Sequence, residues 1–452
     1  MPFLASLLAG IASLFCVSTV LFCTGMPVRR AQVQSDSQQY NEYWQQDTVD
    51  DFAHWNLNGV AMHEDDGQVA LRLSPGRHMV CNAEDIDNGN ASYDATALLC
   101  VDKDPQAPGS YDNGINYYNG GSFFYGTLVS PVHTTQKPIT TIVASWNAIT
   151  PPGTWMEVHV RVQQADTWTH WYILPIWASD FSTIHRHSVE GQSDATGTIS
   201  TDTFYTVGQK ATAYQLGVTL FSTTPTASPE VRRIATIATN DADAQHTPDV
   251  PSNRAAWGIN LPVPQRSQML SHYQGSGYGG GGEVWCSPTS TSMVMAYWSN
   301  VLHRPDLDQT VPDAACDTYD FTYDGTGNWP FNTAYAGHYG LHAFVTRMYS
   351  MSQVEQWIKA GVPIVMSTAY GAGQLPDSPI PSSNGHLLVI RGFTENGDVI
   401  TNDPAAASDD AVQIVYPRAI LQKLWLDTSN GTVYVIYPEH WPTPTTDRLG
   451  TW

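Results

Sequence analysis

Residues 285–299 read WCSPTSTSMVMAYWS. Pro288 sits where a first helical turn would fall, and there its missing N–H removes no hydrogen bond. The run predicts a helix over 288–299 with Cys286 at its opening. A helix N-terminus stabilises nearby negative charge through its dipole and its free N–H groups. A thiolate, the nucleophilic form of cysteine, is therefore favoured at Cys286. Downstream, SQVEQWIKAG (352–361) predicts a second helix. Ser352 is its expected N-cap, Glu355 completes a capping box and Gly361 stops it. VPIVMSTAY, HLLVIRGFT, GDVITNDP, VQIVY and TVYVIYP then follow as strands. Helices first and strands afterwards predict an α+β domain over 259–442.

One hundred residues after Cys286 comes His386, in SNGHLLVIRGF, and seventeen further on Asp403, in VITNDP. Cys, His and Asp suffice for acyl transfer: the imidazole activates the thiol and later protonates the leaving amine, while the carboxylate orients the ring. Asn402 is the alternative orienting residue. A two-residue turn at Asn396-Gly397 would pair Asp403 with Ile390 rather than His386. Contact between the two then requires a bulge, extra twist or a longer loop.

Upstream the texture differs. TTIVASWNAI, TWMEVHVRVQ, WTHWYILPIW, TFYTV and YQLGVTLFS are apolar runs separated by TPPGT, NGG and STTPTASP. The pattern predicts an all-β sandwich over 47–245. Residues 246–258 read as a linker, 26–46 as a polar tether and 443–452 as a tail. The uncharged stretch Pro2 to Cys23 makes 1–25 either a cleaved signal peptide or a membrane anchor. Both place the rest of the chain in a secreted or cell-surface setting. There Cys81 and Cys100 could form a disulfide.

The 452 residues carry 20 basic and 42 acidic side chains, net −22. That balance excludes a nucleic-acid binder, which needs cations against phosphate. Only 14% of residues are charged while 42% are hydrophobic, which excludes a disordered chain. No CxxC or Cys/His finger spacing occurs, so no metal or other cofactor is expected.

Four blocks taken together are specific: VPQRSQM with GGEVWCSPTSTSMVMAYW, then GNWPFNTAYAG, NGHLLVIRGF and ITNDPA. In this order they resemble the family-39-like cysteine peptidases, papain-like proteins related to the domains that cut leader peptides from bacteriocins. The resemblance covers residues about 260 to 440. It implies a papain-like fold, Cys286 as nucleophile, His386 as general base and Asp403 as the orienting acid. It also implies Gln268 as the oxyanion donor, with Gln265 and Gln274 as substitutes, because eighteen positions and the run Gly279 to Gly282 separate Gln268 from Cys286. Ser287 stands where leader-cutting relatives commonly carry Gly. The N-terminal part is similar to the jelly-roll region found ahead of such domains.

The resulting expectation is an exported cysteine peptidase acting on a peptide or protein substrate. A glycan or cell-wall contact would fall to the sandwich, whose Trp168, Trp171, Tyr172 and Trp177 could form a sugar platform. The competing expectations are a catalytically silent surface-binding protein, and an acyltransferase or amidase using the same residues. Cys316, among carboxylates in PDAACDTYD, is the poorer nucleophile. His185 and His187, two apart, could share a metal, but no third ligand accompanies them.

Overall fold

The computed structural model describes residues 40–65, 67–75, 79–82, 122–240, 252 and 254–444. The leader over 1–25 and Cys100, and with it the Cys81–Cys100 pairing, lie outside the described residues.

Two antiparallel sheets make the N-terminal domain. One orders its strands Gly197–Ser200, Thr203–Thr206, Thr141–Ile149, Glu230–Asn240, Gln68–Leu73 and Val60–Asp65, with Tyr40–Gln46 also on Glu230–Asn240. The other centres on Thr154–Gln164, Ala211–Ser222 and Ser122–Val129. Met156, Val158, Val160 and Val162 share one face of a strand and are fully buried, but Trp155, Glu157 and His159 on the other face are buried as well, so over 154–160 the strand has no wet face. Tyr214 of the second sheet and Thr236 of the first share a 2.6 Å hydrogen bond across the interior. The domain is thus a sandwich, as its apolar runs separated by turns predict.

The C-terminal domain has a six-stranded antiparallel sheet. Its order is Leu341–Arg347, Thr432–Pro438, Ile364–Tyr370, Ser383–Phe393, Val399–Asn402 and Gln413–Tyr416. The helix Cys286–Leu302 packs on it and is buried from Ser287 to Ser299, polar faces included. A helix buried on all sides needs internal partners for its hydroxyls. Ser287 pairs with the Tyr434 hydroxyl at 2.9 Å, and Ser290 donates to the Leu387 carbonyl at 3.1 Å.

The strand Thr141–Ile149 is buried on both faces. Ile142, Ala144, Trp146 and Ala148 fill the sandwich, while Thr141, Ser145 and Asn147 turn to the C-terminal sheet. Asn147 donates to the Ala343 carbonyl at 2.8 Å and accepts from the Ala343 N–H at 3.2 Å. Ser145 accepts from Val345 N–H, and Thr141 from Arg347. The sandwich thereby covers the edge strand Leu341–Arg347, whose open backbone groups would otherwise invite pairing with other chains.

Four expectations need correction. The segment 26–46 is not all tether, because Tyr40–Gln46 is a strand. Its polar side chains find partners 300 residues away: Asn41 donates to the Arg347 carbonyl and Gln45 accepts from His342. The second helix runs Met351–Lys359 with Ser350 at the N-cap, not Ser352. Glu355 makes no capping box; it is buried and bound by Ser252, Trp257 and Arg418. Trp257 also bridges to Phe393, so the end of the expected linker is docked rather than free. Finally, WTHWYILPIW (168–177) is not one strand: it holds the end of Thr167–Trp168, the short strand Tyr172–Ile173 and single bridges at Ile176 and Trp177.

Candidate active site

Cys286 is the first residue of its helix and is half-buried. The first N–H groups of a helix have no intrahelical acceptor and stay available to an anion. Ser290, one turn further on the same face, bonds the Leu387 carbonyl and so fixes the helix against the strand that carries His386. His386 is 2% exposed and Asp403 fully buried. His386 Nε2 lies 2.8 Å from Asp403 Oδ1, and Cys286 lines the same cleft and favours the charged form of the ring. The sequence-predicted Cys, His and Asp therefore meet in one place.

Electrostatics favour a charged pair. Burial alone pushes the His386 ring down, but the Asp403 carboxylate and then Cys286 outweigh it and hold His386 up at about 10. The surroundings thus favour the charged imidazolium form of the ring. Burial likewise pushes Asp403 up, and the His386 charge, the Tyr416 hydroxyl and the Ala405 N–H bring it below its ordinary range. Tyr416 donates to Asp403 Oδ2 at 2.7 Å. Asn402 is occupied elsewhere, accepting from Arg391 at 2.9 Å and donating to Pro264, and it does not face His386.

Gln268 lines the same cleft of about 670 Å³ as Cys286 and His386. Its main-chain N–H donates to the Pro404 carbonyl at 2.9 Å, and its side-chain amide donates to the Glu283 carbonyl at 3.0 Å. The intervening glycine loop folds back on itself. A Cβ on Gly282 would lie 2.0 Å from the Gln268 carbonyl, so only glycine lets the two segments touch. The eighteen-residue gap thus closes beside Cys286.

Most other candidates lie outside the cleft. Trp285 is buried in a separate cluster with Val311 and Ala315, while Trp329 does line the cleft. Burial pushes the Cys316 thiol up and Asp317 adds to it. His185 stacks on Phe321, His187 is buried, and no group of three metal-ligating residues occurs among the described residues. Of the proposed sugar platform, Trp171, Tyr172 and Trp177 are packed inside and only Trp168 is partly exposed, under Arg161. Such burial leaves no open aromatic platform there.

Two family models match the chain: the Peptidase C39 N-terminal domain over residues 42–239, and the Peptidase C39 like family over 260–433. Residues 260–433 form a peptidase C39-like domain. Among solved structures, a Bacillus anthracis protein described as C39-peptidase-like is 16% identical, with 41% of this chain and 98% of that chain covered, TM-score 0.29. The CBM22-1–GH10 modules of Clostridium thermocellum endo-1,4-beta-D-xylanase 10B, complexed with xylohexaose, are 9% identical over 49% of this chain and 32% of that one, TM-score 0.20. A non-crystalline cellulose-specific carbohydrate-binding module, CBM28, is 9% identical over 43% and 94%, TM-score 0.18. No curated protein sequence matches.

In this C39-like domain some cleft residues had no sequence signal. Tyr416 ends the strand VQIVY as an ordinary aromatic. Thr368 stands opposite His386 on the neighbouring strand, and its buried hydroxyl, without a hydrogen-bond partner, lines the cleft. Asp202 and Tyr205 reach the cleft from the sandwich.

Proposed function

We propose that the protein is an exported cysteine peptidase that hydrolyses peptide amide bonds through a thioester on Cys286. The carrying observation is the His386 imidazole, 2.8 Å from the buried Asp403 carboxylate and in one cleft with the helix-opening Cys286. The thiolate attacks the scissile carbonyl carbon, and the oxygen takes the negative charge beside the helix N–H groups and Gln268. Collapse breaks the C–N bond as His386 passes its proton to the departing amine. Water then loses a proton to His386 and attacks the thioester, releasing the acid and restoring the thiolate–imidazolium pair. Asp403 keeps the ring oriented throughout.

The test uses the reduced full chain with a thiol-directed probe and a mixture of peptides. Labelling and hydrolysis are expected in the wild type and in Cys316→Ala, and neither in Cys286→Ala. Hydrolysis that survives Cys286→Ala sinks the reading. A product carrying an added amine in place of water would move the assignment to acyl transfer.

A further inference from the structure

Apolar side chains left in water beside a nucleophile are unusual in this protein. Six large hydrophobic residues are exposed among the described residues, and three of them, Tyr205, Val284 and Tyr323, line the Cys286 cleft. Tyr205 comes from the sandwich; the other two come from the C39-like domain. We propose that the sandwich hairpin over 197–206 is a specificity element of the peptidase cleft, in which Tyr205, with Tyr323 and Val284, holds a bulky aromatic or aliphatic side chain of the substrate peptide. The proposal rests on the peptidase reading given above.

The hairpin is held rigidly enough to select. Tyr205 pairs with Thr141, so both side chains leave the same face of the sheet. That is the face the sandwich turns to the peptidase sheet, where the Thr141 hydroxyl accepts from Arg347 at 2.7 Å. At the hairpin tip, the Asp202 carboxylate accepts from the Trp329 N–H at 2.7 Å, at the opening of the helix Trp329–His338. Trp329 is itself a cleft residue. The aromatic wall is thus anchored from both domains before any substrate arrives, and a bound side chain need not order it. A pocket with apolar walls discriminates by the size and apolarity of what fills it.

The test uses the full chain and a fluorogenic peptide series differing at one residue, moved in turn through the positions flanking the scissile bond. At one of these positions phenylalanine or leucine is expected to exceed alanine in kcat/KM by about tenfold or more. That ratio is expected to fall about tenfold in Tyr205→Ala, mainly through KM, and to stay within about twofold of wild type in Tyr205→Phe. The melting temperature and the rate of Cys286 alkylation by iodoacetamide are read alongside, to separate a lost subsite from a lost fold. An unchanged ratio in Tyr205→Ala, or a wild type indifferent to side-chain size at every position, overturns the proposal and leaves the peptidase reading standing. A wild type whose Cys286 alkylates but which cleaves no peptide overturns both.

Discussion

His386 and Asp403 meet on a diagonal. The ladder between Ser383–Phe393 and Val399–Asn402 pairs Val389 with Asn402 and Ile390 with Thr401, then shifts by one at a bulge before Gly392 pairs with Ile400. The connection closes with Thr394 N–H bonded to the Asp398 carbonyl, so the loop is longer than a two-residue turn. Loop and bulge together carry Asp403 to the level of Leu388, one diagonal step from His386 on the same face. That separation is within reach of long side chains.

This geometry sets the first prediction. Asp403 raises His386, so its removal returns the ring toward ordinary basicity and shortens the pH range in which an imidazolium can protonate the leaving amine. In wild type, kcat/KM is expected to fall on the alkaline side near pH 10, where His386 loses its proton. In Asp403→Ala that limb moves to lower pH, and kcat/KM at pH 8 drops about 100-fold. A pH–rate profile checks it; an alkaline limb that does not move would show that Asp403 does not tune the ring.

Gln268 supplies the second. If its amide faces the developing oxyanion, Gln268→Ala lowers kcat about 100-fold with little change in KM. The nearly isosteric Gln268→Glu, which keeps the shape and loses the amide N–H donors, should be impaired as much. Steady-state kinetics and melting temperatures of both variants decide it: because the amide also donates to the Glu283 carbonyl, a well-folded Gln268→Ala that keeps wild-type kcat would rule out the oxyanion role.

Much of this site could be read from the chain because its signals are local. Pro288 two residues after Cys286 marks a helix start, and the apolar runs after His386 and before Asp403 mark strands. The diagonal contact could not be read, since it depends on a bulge that leaves no residue signature. Tyr40–Gln46 was illegible for another reason. Its polar residues look solvated until their partners, Arg347 and His342, are brought alongside by the fold. Ser352 and Glu355 form a sound capping pattern that tertiary contacts override, since Arg418, Trp257 and Ser252 claim the carboxylate. The sandwich wall of the cleft belongs to the same class: nothing near Tyr205 in sequence points to Cys286.

The third prediction concerns the joint between domains. Asn147 makes two hydrogen bonds to Ala343 and accepts a third from Arg233 at 2.9 Å. Arg233 also binds Asp47 and Glu439. Asn147→Ala leaves buried backbone groups of Ala343 and one guanidinium N–H without these partners. A loss of about 2–4 kcal/mol in denaturant melts is expected. Gly337 packs against the same side chain, leaving no room for a larger replacement. A variant as stable as wild type would mean that the edge strand is not supported through this contact.

Asp202 yields the last prediction, with a sign opposite to that of most carboxylates. Burial lifts its carboxyl from 3.8 to about 6, against the Trp329 N–H and the Thr203 hydroxyl, which lower it. A carboxyl raised in the folded state favours the protonated form there, so ionisation opposes folding. The cost is absent below pH 3.8, grows as pH rises toward 6 and is complete above it. Asparagine keeps an oxygen for Trp329 and carries no charge. Asp202→Asn should therefore match wild type near pH 4 and exceed it by about 2–3 kcal/mol at pH 8, because each tenfold weakening of the acid in the folded state costs roughly 1.4 kcal/mol once it is ionised. Asp202→Ala, which removes the acceptor, should be less stable than Asp202→Asn at both values. Urea melts of the three proteins at pH 4 and pH 8 measure this directly. An asparagine variant that loses stability as pH rises, relative to wild type, would show that the hairpin tip is held by the charge of Asp202 rather than by its hydrogen bond.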